Sequence, residues 1–297
     1  MAIKVLHLSD IHFRGKDDAD QKIVIGGLTK SIARIVKEGG AFDVVVFSGD
    51  LVHPGSDAKL FAEAKSHVID PIIAAAGVTE EAFFICAGNH DIDRNVVRRD
   101  KWVEPGLLAT LKSRTEVNDF IDAHKDFDIR TKPFPDPIKR LENYYLSIMV
   151  PAVGRALLTT PFVQVFKLNC DGKSIGLACF NSAWRTTGEP NDVDQGNLIV
   201  GERTVDQAAE ALENADLRVA VVHHPIAWLH DPDQAAVEGR LQANFDLLLS
   251  GHVHRPAPEF RKTMLGEIIH SQAGSLYNSR EYFNGYNVLT LDLVDRV

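Results

Sequence analysis

Five times along this chain a short apolar run ends on a polar signature, and that recurrence constrains the fold more than any other feature. Residues 3–8 lead into Ser9-Asp10-Ile11-His12, and residues 43–47 into Ser48-Gly49-Asp50. Residues 82–86 lead into Gly88-Asn89-His90-Asp91. Residues 217–222 end in His223-His224, and residues 246–249 in Ser250-Gly251-His252-Val253-His254. The runs read as buried strands. Helix-patterned stretches separate the first three: residues 21–38, closed by Gly39-Gly40, and residues 57–76. This alternation specifies a sheet covered by helices, parallel wherever a crossover is helical. In such sheets the carboxyl ends of strands line the ligand crevice, so the five signatures are expected to converge.

The alternation breaks between about Arg94 and Thr160, where helical character dominates around Pro133-Phe134-Pro135-Asp136-Pro137. That stretch is too long for a plain loop. Residues 94–160 therefore read as a helical, cap-like insertion within a single domain spanning residues 1–297. Strands at 162–169 and 174–180 form a hairpin through Cys170-Asp171-Gly172-Lys173. A helix at 204–214 and strands at 268–272 and 286–293 complete an α/β domain of two packed sheets flanked by helices. Val297 follows the last strand closely, an ending that fits a removed C-terminal extension.

Charge and cysteine content narrow the partners. With 32 Lys+Arg against 41 Asp+Glu the net charge is −9, which argues against broad wrapping of nucleic acid. Three cysteines do not make a disulfide framework, so a reducing, cytoplasmic setting is expected. No apolar run approaches a membrane span, and the first strand begins too early for a signal peptide.

Each signature alone has a bland reading. Asp-X-His after a strand is usually a turn, and Gly-Asp a turn or cap. Gly-His-X-His is sharper, because two imidazoles one residue apart in an extended loop can face a common point. Jointly, five accidents at five strand ends are improbable. Together the signatures resemble the calcineurin-like metallophosphoesterases, which carry Asp-X-His, Gly-Asp, Gly-Asn-His-Asp, a lone His and Gly-His-X-His in this order. The resemblance implies a four-layer αββα sandwich and a dinuclear metal centre. One metal would take Asp10, His12, Asp50 and His254; the second would take Asp50, Asn89, His223 and His252. His90 would stand beside the metals without binding them, oriented by Asp91.

The donor chemistry agrees. Imidazoles, carboxylates and one amide oxygen suit Mn²⁺, Fe²⁺/Fe³⁺, Zn²⁺ or Co²⁺ better than Ca²⁺ or Mg²⁺. Two divalent metals, two carboxylates and a bridging hydroxide sum to roughly +1, favourable to phosphate. That hydroxide would attack phosphorus in line, while His90 protonates the leaving oxygen or stabilises equatorial charge.

Motif details narrow the substrate. Gly49-Asp50-Leu51-Val52-His53-Pro54-Gly55 lacks the arginine of the serine/threonine phosphatase branch. His223-His224-Pro225 with Gly-His-Val-His is more similar to class III cyclic-nucleotide phosphodiesterases. The expectation is a phosphodiesterase acting on a small, nucleotide-like ester. A DNA or RNA nuclease, a phosphomonoesterase and a metal-binding regulatory module stay open as alternatives, with extended nucleic acid disfavoured by charge. Arg14 is a candidate phosphate contact, Asn181 a substrate or water contact, and Trp184 a base-stacking residue. Arg98, Arg99, Lys101 and Trp102, with Tyr144 and Tyr145, read as a basic-aromatic patch or a solvated face. The insertion is also a candidate homo-oligomer surface.

Overall fold

A computed structural model describes residues 2–189, 193–277 and 284–293. Strand β1 (Ala2–Leu8) is followed by α1 (Ala19–Gly39), β2 (Val44–Phe47) and α2 (Ala58–Ala64). A π-helical turn at Lys65–Ile69 joins α2 to α3 (Asp70–Ala76), so the single helix expected over 57–76 carries a bulge at its centre. Strand β3 (Phe83–Ile85) precedes six α-helical segments: α4 (Arg94–Arg99), α5 (Val103–Thr110), α6 (Arg114–His124), α7 (Asp136–Lys139), α8 (Glu142–Tyr144) and α9 (Val150–Ala152). Then come β4 (Leu158–Thr159), β5 (Val163–Cys170), β6 (Lys173–Phe180), α10 (Glu202–Ala211), β7 (Leu217–Val222), α11 (Asp231–Asn244), β8 (Leu247–Ser250), β9 (Ala257–Thr263), β10 (Gly266–Gln272) and β11 (Asn287–Asp292).

The strands form two mixed sheets. One has the order β11-β1-β2-β3, with β1, β2 and β3 parallel and β11 antiparallel to β1. The other has the order β4-β5-β6-β7-β8-β10-β9, parallel from β6 to β10 and antiparallel at both edges. Alternation along β1 shows why the sheets stack. Ile3 and Val5 join Val44, Val46 and Phe84 against Leu177, Val219 and Leu247 of the other sheet. Leu6 and Leu8 instead face the α1 side with Ile25, Leu28 and Ile32. Helices α10 and α11 cover the outer face of the larger sheet through Val205, Ala208, Val237 and Leu241. Two sheets between two helical layers make the four-layer α/β/β/α sandwich expected from the sequence.

The hairpin turn at Asp171-Gly172 has φ of 46° and 80°, the left-handed pair that a two-residue β-turn needs. Strands β4 and β9 and helix α11 are additions to the expected pattern. Among the described residues, no helix is long and apolar enough to cross a membrane.

Candidate metal centre

The five strand-end loops converge because their backbones turn sharply on leaving the sheets. Asp10, His12, Asp50, His252 and His254 have φ of 57°, 47°, 58°, 68° and 59°. This left-handed region costs a residue with a β-carbon about 1 kcal/mol or more. Among the described residues, the one other non-glycine there is Asp171 of the hairpin turn. Cross-loop hydrogen bonds hold the strained turns. The Asp10 N–H donates to the Gly49 carbonyl and the His12 N–H to the Asp50 carbonyl, each at 3.0 Å. Buried Gln21 donates from Nε2 to the carbonyls of Ile11 at 3.0 Å and His12 at 2.8 Å. Gly88 permits the closest approach, since a β-carbon there would lie 2.1 Å from Asp50 Oδ1.

All seven predicted ligands meet. His254 Nε2 lies 3.2 Å from Asp10 Oδ1, and His12 Nδ1 lies 3.7 Å from Asp50 Oδ2. On the other side of Asp50, His223 Nε2 is 3.3 Å from Oδ2 and 3.1 Å from Asn89 Oδ1. His252 Nδ1 is 3.0 Å from the same amide oxygen. Donor atoms of Asp10, His12 and His254 lie within 4.8 Å of one another, as do those of Asp10, Asp50 and His223. The His223 Nδ1 sits 2.7 Å from the Ser48 carbonyl. A carbonyl accepts, so Nδ1 carries the hydrogen and Nε2 turns its lone pair to the centre when the ring is neutral.

The buried acids and imidazoles of this cluster shift one another's ionisation. Burial opposes ionisation of Asp50, yet His223, His90 and His12 outweigh it and hold the carboxyl well below its usual range. Asp10 is lowered too, against burial, chiefly by its hydrogen bond to His254. Burial also works against charge on His223, but Asp50 and Asp10 raise that imidazole to about 9. His254 is raised through Asp10. His252, by contrast, is driven to about 4 by burial and by neighbouring His223. His12 Nδ1 is buried with no hydrogen-bond partner. Two buried carboxylates, converging imidazoles and an orphaned ring nitrogen fit transition-metal cations.

His90 stands at the edge of this cluster. Its ring centroid is 4.5 Å from those of His12 and His53, and its backbone N–H donates to Asp50 Oδ1 at 2.7 Å. Burial, aided by the charges of His12, His53 and Arg94 and opposed by Asp50, lowers its imidazole to about 3. Asp91 does not orient it. The Asp91 carboxylate accepts backbone N–H groups of Asp50 at 3.0 Å, Val52 at 3.0 Å and Gly88 at 2.9 Å, so it braces the loops instead. The partner of the His90 ring is Arg94, a residue the motif reading did not single out. Its signal was spacing: four residues beyond His90, across a helix start.

The three candidate substrate contacts divide. Arg14 is exposed beside the site, where the His53 N–H donates to the Phe13 carbonyl at 2.9 Å. Asn181 is buried with its amide committed to Tyr145 Oη, the Pro161 carbonyl and the Ala183 N–H. Trp184 is fully buried, stacked on Phe120 at 5.1 Å and donating to the Ile199 carbonyl at 2.7 Å. Both are core residues, correcting the substrate roles read from sequence. Tyr144 and Tyr145 are buried as well, while Arg98 pairs with Glu189 and Arg99 with Asp100. Lys101 lies over the exposed Trp102 ring.

The profile of the calcineurin-like phosphoesterase family matches residues 3–256. A curated relative, the uncharacterized metallophosphoesterase-like protein YydB of Bacillus subtilis (strain 168), is 19% identical over 271 residues. That match covers 86% of this chain and 49% of the relative, so the chain spans about half its length. Among solved structures, a purple acid phosphatase from yellow lupin (Lupinus luteus) seeds aligns with a TM-score of 0.54 at 13% identity. The alignment covers 98% of this chain and 49% of that one, a likeness of fold. A hypothetical protein from Thermus thermophilus aligns at 15% identity with a TM-score of 0.44, over 92% of this chain and 78% of its own.

Proposed function

The chain belongs to the calcineurin-like phosphoesterase family, and from that premise we propose that its crevice hydrolyses a small, nucleotide-like phosphodiester with metal assistance. The carrying observation is Asp50, whose Oδ2 faces His12 at 3.7 Å and His223 at 3.3 Å and so joins two donor groups. One cation would be held by Asp10, His12, Asp50 and His254, the other by Asp50, Asn89, His223 and His252. Bound Mn²⁺, Fe²⁺/Fe³⁺, Zn²⁺ or Co²⁺ supplies positive charge that polarises the phosphoryl group and activates water. His90 offers a hydrogen-bond donor to an oxygen that gains charge as the ester breaks. Residues 94–160 are an insertion within the catalytic domain that walls the crevice beside His90. Two contacts support that placement: Arg94 on the His90 ring, and Asn143 Nδ2 donating to the Gly55 carbonyl at 3.0 Å.

The test is His90→Ala, assayed with a cyclic nucleotide, a bis-aryl phosphodiester, an aryl phosphomonoester and single-stranded DNA. The expected result is two metals per chain by elemental analysis and a loss of about 100-fold or more in diesterase kcat. Retained diesterase activity would remove His90 from the chemistry. Preference of the native protein for the monoester or for DNA would replace the diester reading. No metal and no hydrolysis would make the fold a regulatory module.

A further inference from the structure

With Asp91 spent on backbone N–H groups, the arrangement around His90 is set by a cation. Arg94 Nη2 lies 3.1 Å from His90 Nδ1. A guanidinium donates and cannot accept. Nδ1 is therefore the acceptor, and the imidazole hydrogen resides on Nε2. Among the described residues, Nε2 has no hydrogen-bond partner, while the ring stands against His12 and beside Asp50.

Arg94 is held in place on both sides. Asp93 caps α4, accepting the Asn95 N–H at 2.9 Å, and its own N–H donates to the Arg140 carbonyl at 2.7 Å. Across the side chain lies Gly188, φ 66°, where a β-carbon would sit 2.5 Å from Arg94 Nε. Glycine at that position leaves the passage the guanidinium occupies. Among the described residues, Arg94 makes no ion pair with a carboxylate, whereas Arg98 on the same helix pairs with Glu189 at 3.3 Å. Among the described residues, the hydrogen-bond partner of the Arg94 guanidinium is the His90 ring.

We propose that Arg94 is the positioning residue for His90, fixing the tautomer that presents Nε2–H to the substrate oxygen that gains charge. A carboxylate in its place would draw the hydrogen to Nδ1, and a neutral ring would then face the substrate with a lone pair. Holding the ring from a donor reverses that polarity without adding a proton. The proposal rests on reading the crevice as a phosphoester-hydrolysing site, so its test includes a measurement independent of turnover.

Nitrogen–proton correlation spectra of zinc-loaded protein labelled at histidine would report the tautomer directly. The expected spectrum has His90 protonated at Nε2 and unprotonated at Nδ1. In Arg94→Ala the two tautomers should mix, and Arg94→Lys, which keeps a donor, should restore the Nε2–H signal. With an alkyl phosphodiester, Arg94→Ala should lower kcat about tenfold or more while KM moves less than about threefold. A nitrophenyl ester, whose leaving group needs less help, should lose less. In a His90→Ala background the Arg94 substitution should add no further loss. An Nδ1–H signal in the native protein, or full additivity of the two substitutions, would overturn the proposal. So would a raised KM with kcat intact, which would make Arg94 a direct phosphate contact. A native protein that hydrolyses no phosphoester would instead overturn the functional reading, and the tautomer would still decide the role of Arg94.

Discussion

Metal binding to this site should expel protons, and the structure sets how many. Against burial, Asp50 and Asp10 raise His223 to about 9, so at pH 7 it is mostly protonated. The donor set needs its Nε2 lone pair, which that proton occupies. Relative to the ordinary histidine value of 6.5, removing the proton costs about 3 kcal/mol more, at 1.36 kcal/mol per unit. Loading the site should therefore release about one proton from His223 at pH 7. Below pH 8, apparent affinity should fall about tenfold per pH unit for each imidazole that must be emptied. The sign also holds for the metal-free fold. A raised histidine contributes stability that is full below about 6.5 and is lost as pH rises through about 9. Calorimetric titration of the metal-free protein with Zn²⁺ in two buffers of different ionisation enthalpy counts the protons, and repeats at pH 6, 7 and 8 give the slope. No proton release at pH 7, with affinity flat from pH 6 to 8, would refute the claim that these imidazoles and carboxylates share the metal.

Two further outcomes follow from the burial pattern. Asp233 at the start of α11 accepts the N–H groups of Val200 at 2.8 Å and Gly201 at 3.1 Å, and burial raises its carboxyl to about 6. Stability from that raised acid is full below about pH 4 and is lost as pH rises through about 6, about 3 kcal/mol in all. Asp233→Asn, which keeps an acceptor, should raise Tm at pH 8 and flatten the melting profile between pH 4 and 7; an unchanged slope would contradict this. Trp184→Ala should cost about 3–5 kcal/mol in denaturant unfolding by emptying the space between Phe120 and Phe162, with metal content and KM unchanged. A raised KM at intact stability would return Trp184 to the substrate.

The sequence was most informative where residue type and position carry the same message. Asp10, His12, Asp50, Asn89, His223, His252 and His254 each follow a strand whose apolar run is unmistakable, and chain topology brings such ends together. Direction of side chains was not legible. Asp91 next to His90 turns to the backbone, and Asn181 and Trp184 at a strand end turn into the core, because tertiary partners such as Tyr145 and Phe120 decide those rotamers. Helix α11 was missed because Pro232, Gly239 and a polar composition blur its period. Strand β9 was missed because every residue in it is exposed, so the apolar alternation that marks a half-buried strand is absent.

The proposed ligands come from both sheets. Asp10, His12, Asp50 and Asn89 leave β1, β2 and β3, whereas His223, His252 and His254 leave β7 and β8 of the other sheet. Neither half holds a complete set: one brings both carboxylates and the amide, the other three of the four imidazoles. The site thus exists only once segments more than 200 residues apart have docked, as the 3.2 Å approach of His254 to Asp10 requires. Long-range closure of that kind is slow and comes late in folding. A bound cation here would act as a rivet across the seam, tightening the assembled sandwich while giving nothing to either sheet on its own.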